Sequence, residues 1–385
     1  MRFEELIAQC EQAALDPHLP LVRQWKAENR GRRAVGCFPV YTPRELIAAA
    51  GMLPVSLFGG GDRVEVDRAD SRIQSFVCSI ARSTLEMGLR GDLDCLDGMV
   101  FPSICDVARN LSGVWTRNFP DRLTFYLHLP QNVFSPAAEP YYCGELARLR
   151  SKLEELAGAP VANAALAASM AVSNKHRART RRLEEYRQAH PDRLTTRELY
   201  LLCRMGATIP AEEHCVLLEL ALQALENRPA QKRDAVRVIL ESAFCEQPPL
   251  ELIHTLEEAG CVILDDAFLQ GLRWYAEPIP VNGDPLGALA RAYLRSSPVS
   301  SVAFPGERNR GLALVERCQR LQADGVIFCC AKFCEPALYD YVLMKQALER
   351  AKIPYLQFEF EEKMTAFESV RLQIETFVES VLFFS

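Results

Sequence analysis

The chain has 385 residues, 49% hydrophobic and 24% charged, which is apolar material for two or three packed domains with no need of disulfide or metal staples. Its formal net charge of -6 argues against whole-chain attraction to nucleic acid or to an anionic membrane. Fourteen cysteines without a Cys-x-x-Cys pair argue against a zinc ribbon or a ferredoxin-type loop, so a metal group would need ligands gathered from distant segments.

The opening stretch, Met1 to Pro20, carries scattered charges and no apolar core like that of a signal peptide. The longest apolar runs, such as Asp324 to Ala331, are too short to cross a bilayer, and a soluble cytoplasmic protein is expected. In a reducing compartment the cysteines are thiols, and each taken singly reads as a small buried hydrophobe.

Arg33–Pro39 is a short apolar strand, Pro43–Gly51 a helix with Pro in its first turn and Gly after its end, and Leu53–Phe58 a second strand closed by Gly59-Gly60-Gly61-Asp62. Further strands are expected at Asp97–Phe101 and Leu123–Leu129. The stretch from about 143 to 232 changes character: Gly144 to Leu156 has helical spacing, and Thr195-Thr-Arg-Glu198 is a capping box. Strand–helix alternation resumes from 233, with strands at Ala235–Leu240, Cys261–Leu264, Gly325–Cys330 and Tyr355–Phe360, and a closing helix over Ala366–Phe384. The expected architecture is α/β: two Rossmann-like or flavodoxin-like domains with short parallel sheets, at 1–142 and 233–385, joined by a helical segment at 143–232.

The two halves echo each other. Asp97-Gly-Met-Val-Phe101 runs on to Cys105-Asp106, and Asp324-Gly-Val-Ile-Phe328 runs on to Cys334-Glu335, which points to duplication. In open α/β sheets ligands gather beyond the C-terminal strand ends, where Cys105 and Cys334 both fall. Each precedes a helix start, where unpaired N–H groups and the helix dipole favour a thiolate.

Pro43-Arg-Glu-Leu-Ile-Ala-Ala-Ala-Gly-Met-Leu-Pro54, Cys78-Ser-Ile-Ala-Arg-Ser83, Asp97 through Asn110, and Asp324 through Pro336 together resemble the benzoyl-CoA reductase and 2-hydroxyacyl-CoA dehydratase family over nearly the whole chain. Asn110 to Trp115, Pro130-Gln-Asn132 and Ser242 to Pro249 resemble its branch of C subunits of ATP-dependent benzoyl-CoA reductases. The resemblance implies that Cys78, Cys105 and Cys334 bind a [4Fe–4S] cluster between the two α/β domains. It leaves the fourth iron to a non-protein ligand, to substrate or to a further residue. Cys245 is the candidate here, and a buried loop cysteine is the alternative. Cys329 and Cys330 read as core or as neighbours of the site.

The same resemblance implies the partners: a larger sister subunit of the family, two ATPase (activator-type) subunits with a bridging [4Fe–4S] cluster, reduced ferredoxin as electron donor, and an aryl-CoA substrate. No G-x-x-x-x-G-K-[ST] loop occurs, so ATP and Mg are expected on partner subunits only. Nucleic acid and membrane are not expected partners. The expected function is a cluster-bearing subunit passing low-potential electrons toward an aromatic ring. The alternatives are the β subunit of a 2-hydroxyacyl-CoA dehydratase and a non-catalytic scaffold. The family's closing helix often opens with Gly-Gln and carries two basic residues. Here Glu368 to Glu375 keeps Arg371 but has Gln373, and a Glu in place of Gly blocks close backbone approach, favouring electron relay with the thioester held by the sister subunit.

No catalytic residue is fixed by the sequence. His128 beside Pro130 at a strand end, and Glu246 and Asp265 at others, are candidates for proton supply, with a structural role as the alternative. Gly59 to Asp62 reads as a tight turn in preference to a phosphate cradle. The basic run Asn174 to Arg182 reads as a solvated helix face, with coenzyme A phosphates or an acidic partner as functional readings.

Overall fold

The computed structural model describes residues 2–230, 235–243, 245–268, 275, 277–304, 306, 308–364 and 367–384. Phe244 within the Ser242–Pro249 motif, the expected segment boundary at 232 and 233, and Ala366 as the expected start of the last helix lie outside the described residues.

Four strands form the first sheet: β1 (Ala34–Cys37), β2 (Leu53–Ser56), β3 (Gly98–Pro102) and β4 (Leu123–Leu127). All pairs are parallel, in the order β2-β1-β3-β4. Every residue of β1, β2 and β3 is buried, which is why they read as unbroken apolar runs. The edge strand β4 alternates toward half-buried positions. The second sheet, β5 (Val236–Ser242), β6 (Cys261–Asp266), β7 (Gly325–Ala331) and β8 (Tyr355–Phe360), is also all parallel and is ordered β6-β5-β7-β8. The two short parallel sheets expected from the sequence are therefore present, and they share one winding.

In chain order the helices are α1 (Phe3–Ala14), α2 (Pro20–Ala27), α3 (Arg44–Ala49), α4 (Ser79–Arg90), α5 (Asp106–Asn118), α6 (Ala138–Ala157), α7 (Asn163–Ala189), α8 (Thr196–Met205), α9 (Ala211–Glu226), α10 (Leu250–Glu258), α11 (Pro285–Ser296), α12 (Arg310–Leu321), α13 (Glu335–Ala351) and α14 (Glu368–Phe384). The expected capping box holds: Thr195 accepts from the Glu198 amide at 3.2 Å, and Glu198 accepts from the Thr195 amide at 3.0 Å. Helices α1, α8 and α9 share an apolar core. The core of the first sheet takes in α6 and also α11, so a segment late in the chain packs back on the first unit. Among the described residues no helix is long and apolar enough to cross a membrane.

Candidate functional site

In each sheet the first strand lies between the second and the third, so successive connections leave it on opposite sides. That winding opens a crevice beyond the C-terminal ends of the first and third strands. Here the two crevices face each other. Phe38 and Pro39 after β1, and Ile104 and Cys105 after β3, meet Ser242 at the end of β5, Cys245 and Glu246 after it, and Phe333 and Cys334 after β7, around one cavity of about 50 Å³. Cys78, ahead of α4, lines the same cavity. The structure thus brings Cys78, Cys105, Cys334 and Cys245 together.

Three of these thiols are held by one local device. Cys78, Cys105 and Cys334 are the N-caps of α4, α5 and α13. The Ala108 amide donates to the Cys105 Sγ at 3.5 Å. The Ala81 and Ala337 amides face Cys78 and Cys334 in the same i+3 relation and favour their thiolates without closing a full cap bond. Phe333 takes a left-handed φ of 63° just before Cys334, backbone strain of the kind that accumulates at functional sites.

Burial pushes the Cys78 and Cys105 thiols up. Cys245 is raised first because its S–H donates to Cys334 and then by burial, and the same bond lowers Cys334. Of the pair, Cys334 is the one whose thiolate is favoured, by Cys245, the Ala337 amide and the Arg310 guanidinium against burial and Asp340. Four sulfurs, two buried and two half-buried, sharing a space with one cationic side chain cannot all ionise unless further positive charge sits among them. Among the described residues no three His, Cys, Asp or Glu side chains stand close enough to hold a single metal ion. Four cysteine sulfurs around one space, with no histidine, fit an iron–sulfur core better than one ion.

Glu246 is buried beside the thiols, and neither carboxylate oxygen reaches a hydrogen-bond partner at normal distance. Burial, then Glu362, then Cys334 drive its carboxyl well above the usual range, which favours the protonated form. Glu362 follows β8, and burial pushes it up to about 7 against the pull of Ser83, Arg204 and the Gly61 amide. A Cβ at Gly59 would overlap the Glu362 Oε1, which explains the glycine at that position: the loop receives a carboxyl from the other α/β unit. The tight-turn reading survives with that addition, since Gly59 and Gly61 have φ of 77° and 59°.

His128 does not reach the enclosed cavity. It is exposed in an outer cleft of about 740 Å³ that also touches Cys105 and Glu335, and its ring packs edge-on against Tyr126 with centroids 4.6 Å apart. Asp265 is tied to Arg317 at 3.0 Å. Cys329 and Cys330 lie in the apolar cores on opposite faces of the second sheet. The basic run is not simply a solvated face: Arg177 is buried against Glu45 at 2.6 Å, His176 meets His214 at 2.5 Å, and Arg179 and Arg182 approach Glu219 at 3.7 and 3.9 Å. Those partners are far away in sequence, so the helix alone could not reveal them. Arg371 pairs with Glu258 at 3.1 Å.

The sequence reading missed Arg310, Asp340 and Glu362. An arginine at the first position of α12 works against the helix dipole, and that was the available signal for it. It also missed that Cys-x-x-Ala occurs at all three caps.

A family model described as 2-hydroxyglutaryl-CoA dehydratase, D-component, matches residues 39–381. The chain is 39% identical to the benzoyl-CoA reductase C-subunit of Thauera aromatica, covering 100% of both chains. It is 27% identical to lactoyl-CoA dehydratase subunit beta of Anaerotignum propionicum, over 98% of this chain and 99% of the other. It is also 27% identical to (R)-2-hydroxyglutaryl-CoA dehydratase subunit beta of Acidaminococcus fermentans, over 99% and 100%. The span of the match and the identity over the full length establish that the chain belongs to the 2-hydroxyglutaryl-CoA dehydratase D-component family, with a benzoyl-CoA reductase C-subunit among its relatives.

Proposed function

We propose that this chain is the [4Fe–4S]-bearing C-type subunit of an ATP-dependent benzoyl-CoA reductase. The observation that carries the reading is the convergence of Cys78, Cys105, Cys334 and Cys245 on one cavity at the facing switch points of two sheets. The first three would hold the cluster, and Cys245 is the nearest protein candidate for the remaining iron. When bound, such a cluster stores one electron at a low potential set by charge, burial and N–H donors to sulfur.

The chain's own residues prepare for that chemistry. Three helix N-termini aim amides at the thiolates, apolar Phe38, Ile80, Ile104 and Val302 limit water, and burial beside Glu362 and Cys334 raises the Glu246 carboxyl. His128 and Tyr126 in the outer cleft, next to Cys105, are the proposed acids on the route toward substrate. The relatives are each named as subunits. We propose accordingly a hetero-oligomer with a larger sister subunit and two ATPase chains, fed by reduced ferredoxin, in which the sister subunit holds the aryl-CoA.

A second reading, the β subunit of a 2-hydroxyacyl-CoA dehydratase, is favoured by the dehydratase relatives at 27% identity. Electron stoichiometry separates the two. The purified complex, given reduced ferredoxin and benzoyl-CoA, is expected to consume donor with every product formed. Turnover of a 2-hydroxyacyl-CoA after a single priming electron would replace the reductase reading with the dehydratase one.

A further inference from the structure

Of the side chains lining the cysteine cavity among the described residues, Arg310 is the one cation. Its side chain is 12% exposed, and it is gripped from two sides, by the Asp340 Oδ2 at 2.5 Å and the Glu241 Oε2 at 3.2 Å. Both grips are themselves fixed. Asp340 also accepts the Ser301 amide at 3.0 Å, and Glu241 is shared with Arg317 at 2.8 Å, which in turn reaches Asp265. The result is a ladder of alternating charge, Asp340–Arg310–Glu241–Arg317–Asp265, running from α13 across α12 to the strand ends of β5 and β6. At its inner end Arg310 and Asp340 line the same cavity as Cys334.

A buried ladder of this kind is a weak source of stability, because desolvation offsets most of the attraction between its members. What it does achieve is a guanidinium that cannot swing away, fixed at the edge of a cavity where charge is weakly screened. The other titratable side chains on the cavity besides the cysteines, Asp106, Glu246, Glu335 and Asp340, are all acids. Adding an electron to a thiolate-ligated group in this cavity adds negative charge, and a fixed cation beside one of its sulfurs opposes that penalty.

We propose that Arg310 is a positioning and tuning residue: locked by Asp340 and Glu241, it holds a positive charge on the cavity of Cys334 and raises the reduction potential of the cluster that Cys78, Cys105 and Cys334 would hold. This inference rests on the cluster reading above and deepens it. It assigns the chain's own control over how readily the site accepts an electron.

The test is a redox titration of the anaerobically purified full chain, followed by electron paramagnetic resonance, with iron and sulfide measured on the same samples. Arg310→Gln is expected to make reduction about tenfold harder, a shift of about 59 mV to lower potential for one electron. Arg310→Lys should restore most of that loss. Asp340→Asn should move the potential the opposite way, which a purely structural role would not produce. If Arg310→Gln fails to load iron, the sign of the Asp340→Asn shift decides. Fully loaded variants with unchanged potentials, or shifts of the same sign, overturn the inference alone. A wild-type chain with no iron overturns the cluster reading itself.

Discussion

A cysteine at a helix N-cap does two things at once: its backbone turns the chain into the helix, and its sulfur meets the amides that the first turn leaves unpaired. At Cys78, Cys105 and Cys334 the third following residue is alanine, which supplies the amide without a side chain to crowd the sulfur. Serine keeps the capping role and is among the preferred N-caps, but it is a poor ligand for iron. Cys105→Ser is therefore expected to leave the melting temperature close to wild type, within about 1 kcal/mol of stability, while iron content falls sharply. Parallel thermal melts and iron assays check this. Loss of fold together with iron would mark Cys105 as packing material. The three cysteines were legible in the sequence because the family motifs carry them. Arg310 and Glu362 were not, because their roles depend on partners at Glu241, Asp340 and Gly59, brought close only by the fold.

Among the elements, the strands were the most legible part of the chain. Short strands buried on both faces leave continuous apolar runs between turn signals, and all eight expected strands are present, with ends that agree or shift by one or two residues, as at Ala34–Cys37 against the expected Arg33–Pro39. The long helix α7 was read less well, since nothing in Lys175 to Arg182 announces that Arg177 faces inward to Glu45. The contact between the Gly59–Gly61 loop and the segment after β8 was also invisible. It has a pH signature. The folded Glu362 carboxyl titrates at about 7, above its ordinary value of 4.5, so the folded chain binds the extra proton between those limits. Stability from the neutral form is full below the lower limit and is lost as pH rises through the upper one. Glu362→Gln, which is neutral throughout, is expected to flatten the fall in melting temperature over that window. Equal slopes in the two proteins would show that the carboxyl is not protonated in the fold.

For the molecule as a whole, the shared winding of the two sheets explains the site. Two halves with the order second–first–third–fourth each present a switch-point crevice, and facing them creates a pocket that neither half has alone. We keep 1–142, 143–232 and 233–385 as the proposed division of the chain, although α11 from the third segment packs into the first core. The echo between Asp97–Cys105 and Asp324–Cys334 now has a structural counterpart, because Cys105 and Cys334 follow corresponding third strands.

The claim on which all else depends is that these sulfurs hold an iron–sulfur core. Iron and acid-labile sulfide per chain, measured on protein purified under strict anaerobic conditions, test it most directly. The account predicts about four of each per chain, lost on substitution of Cys78, Cys105 or Cys334. A well-folded wild-type chain that binds neither iron nor sulfide, even after anaerobic reconstitution, would contradict it.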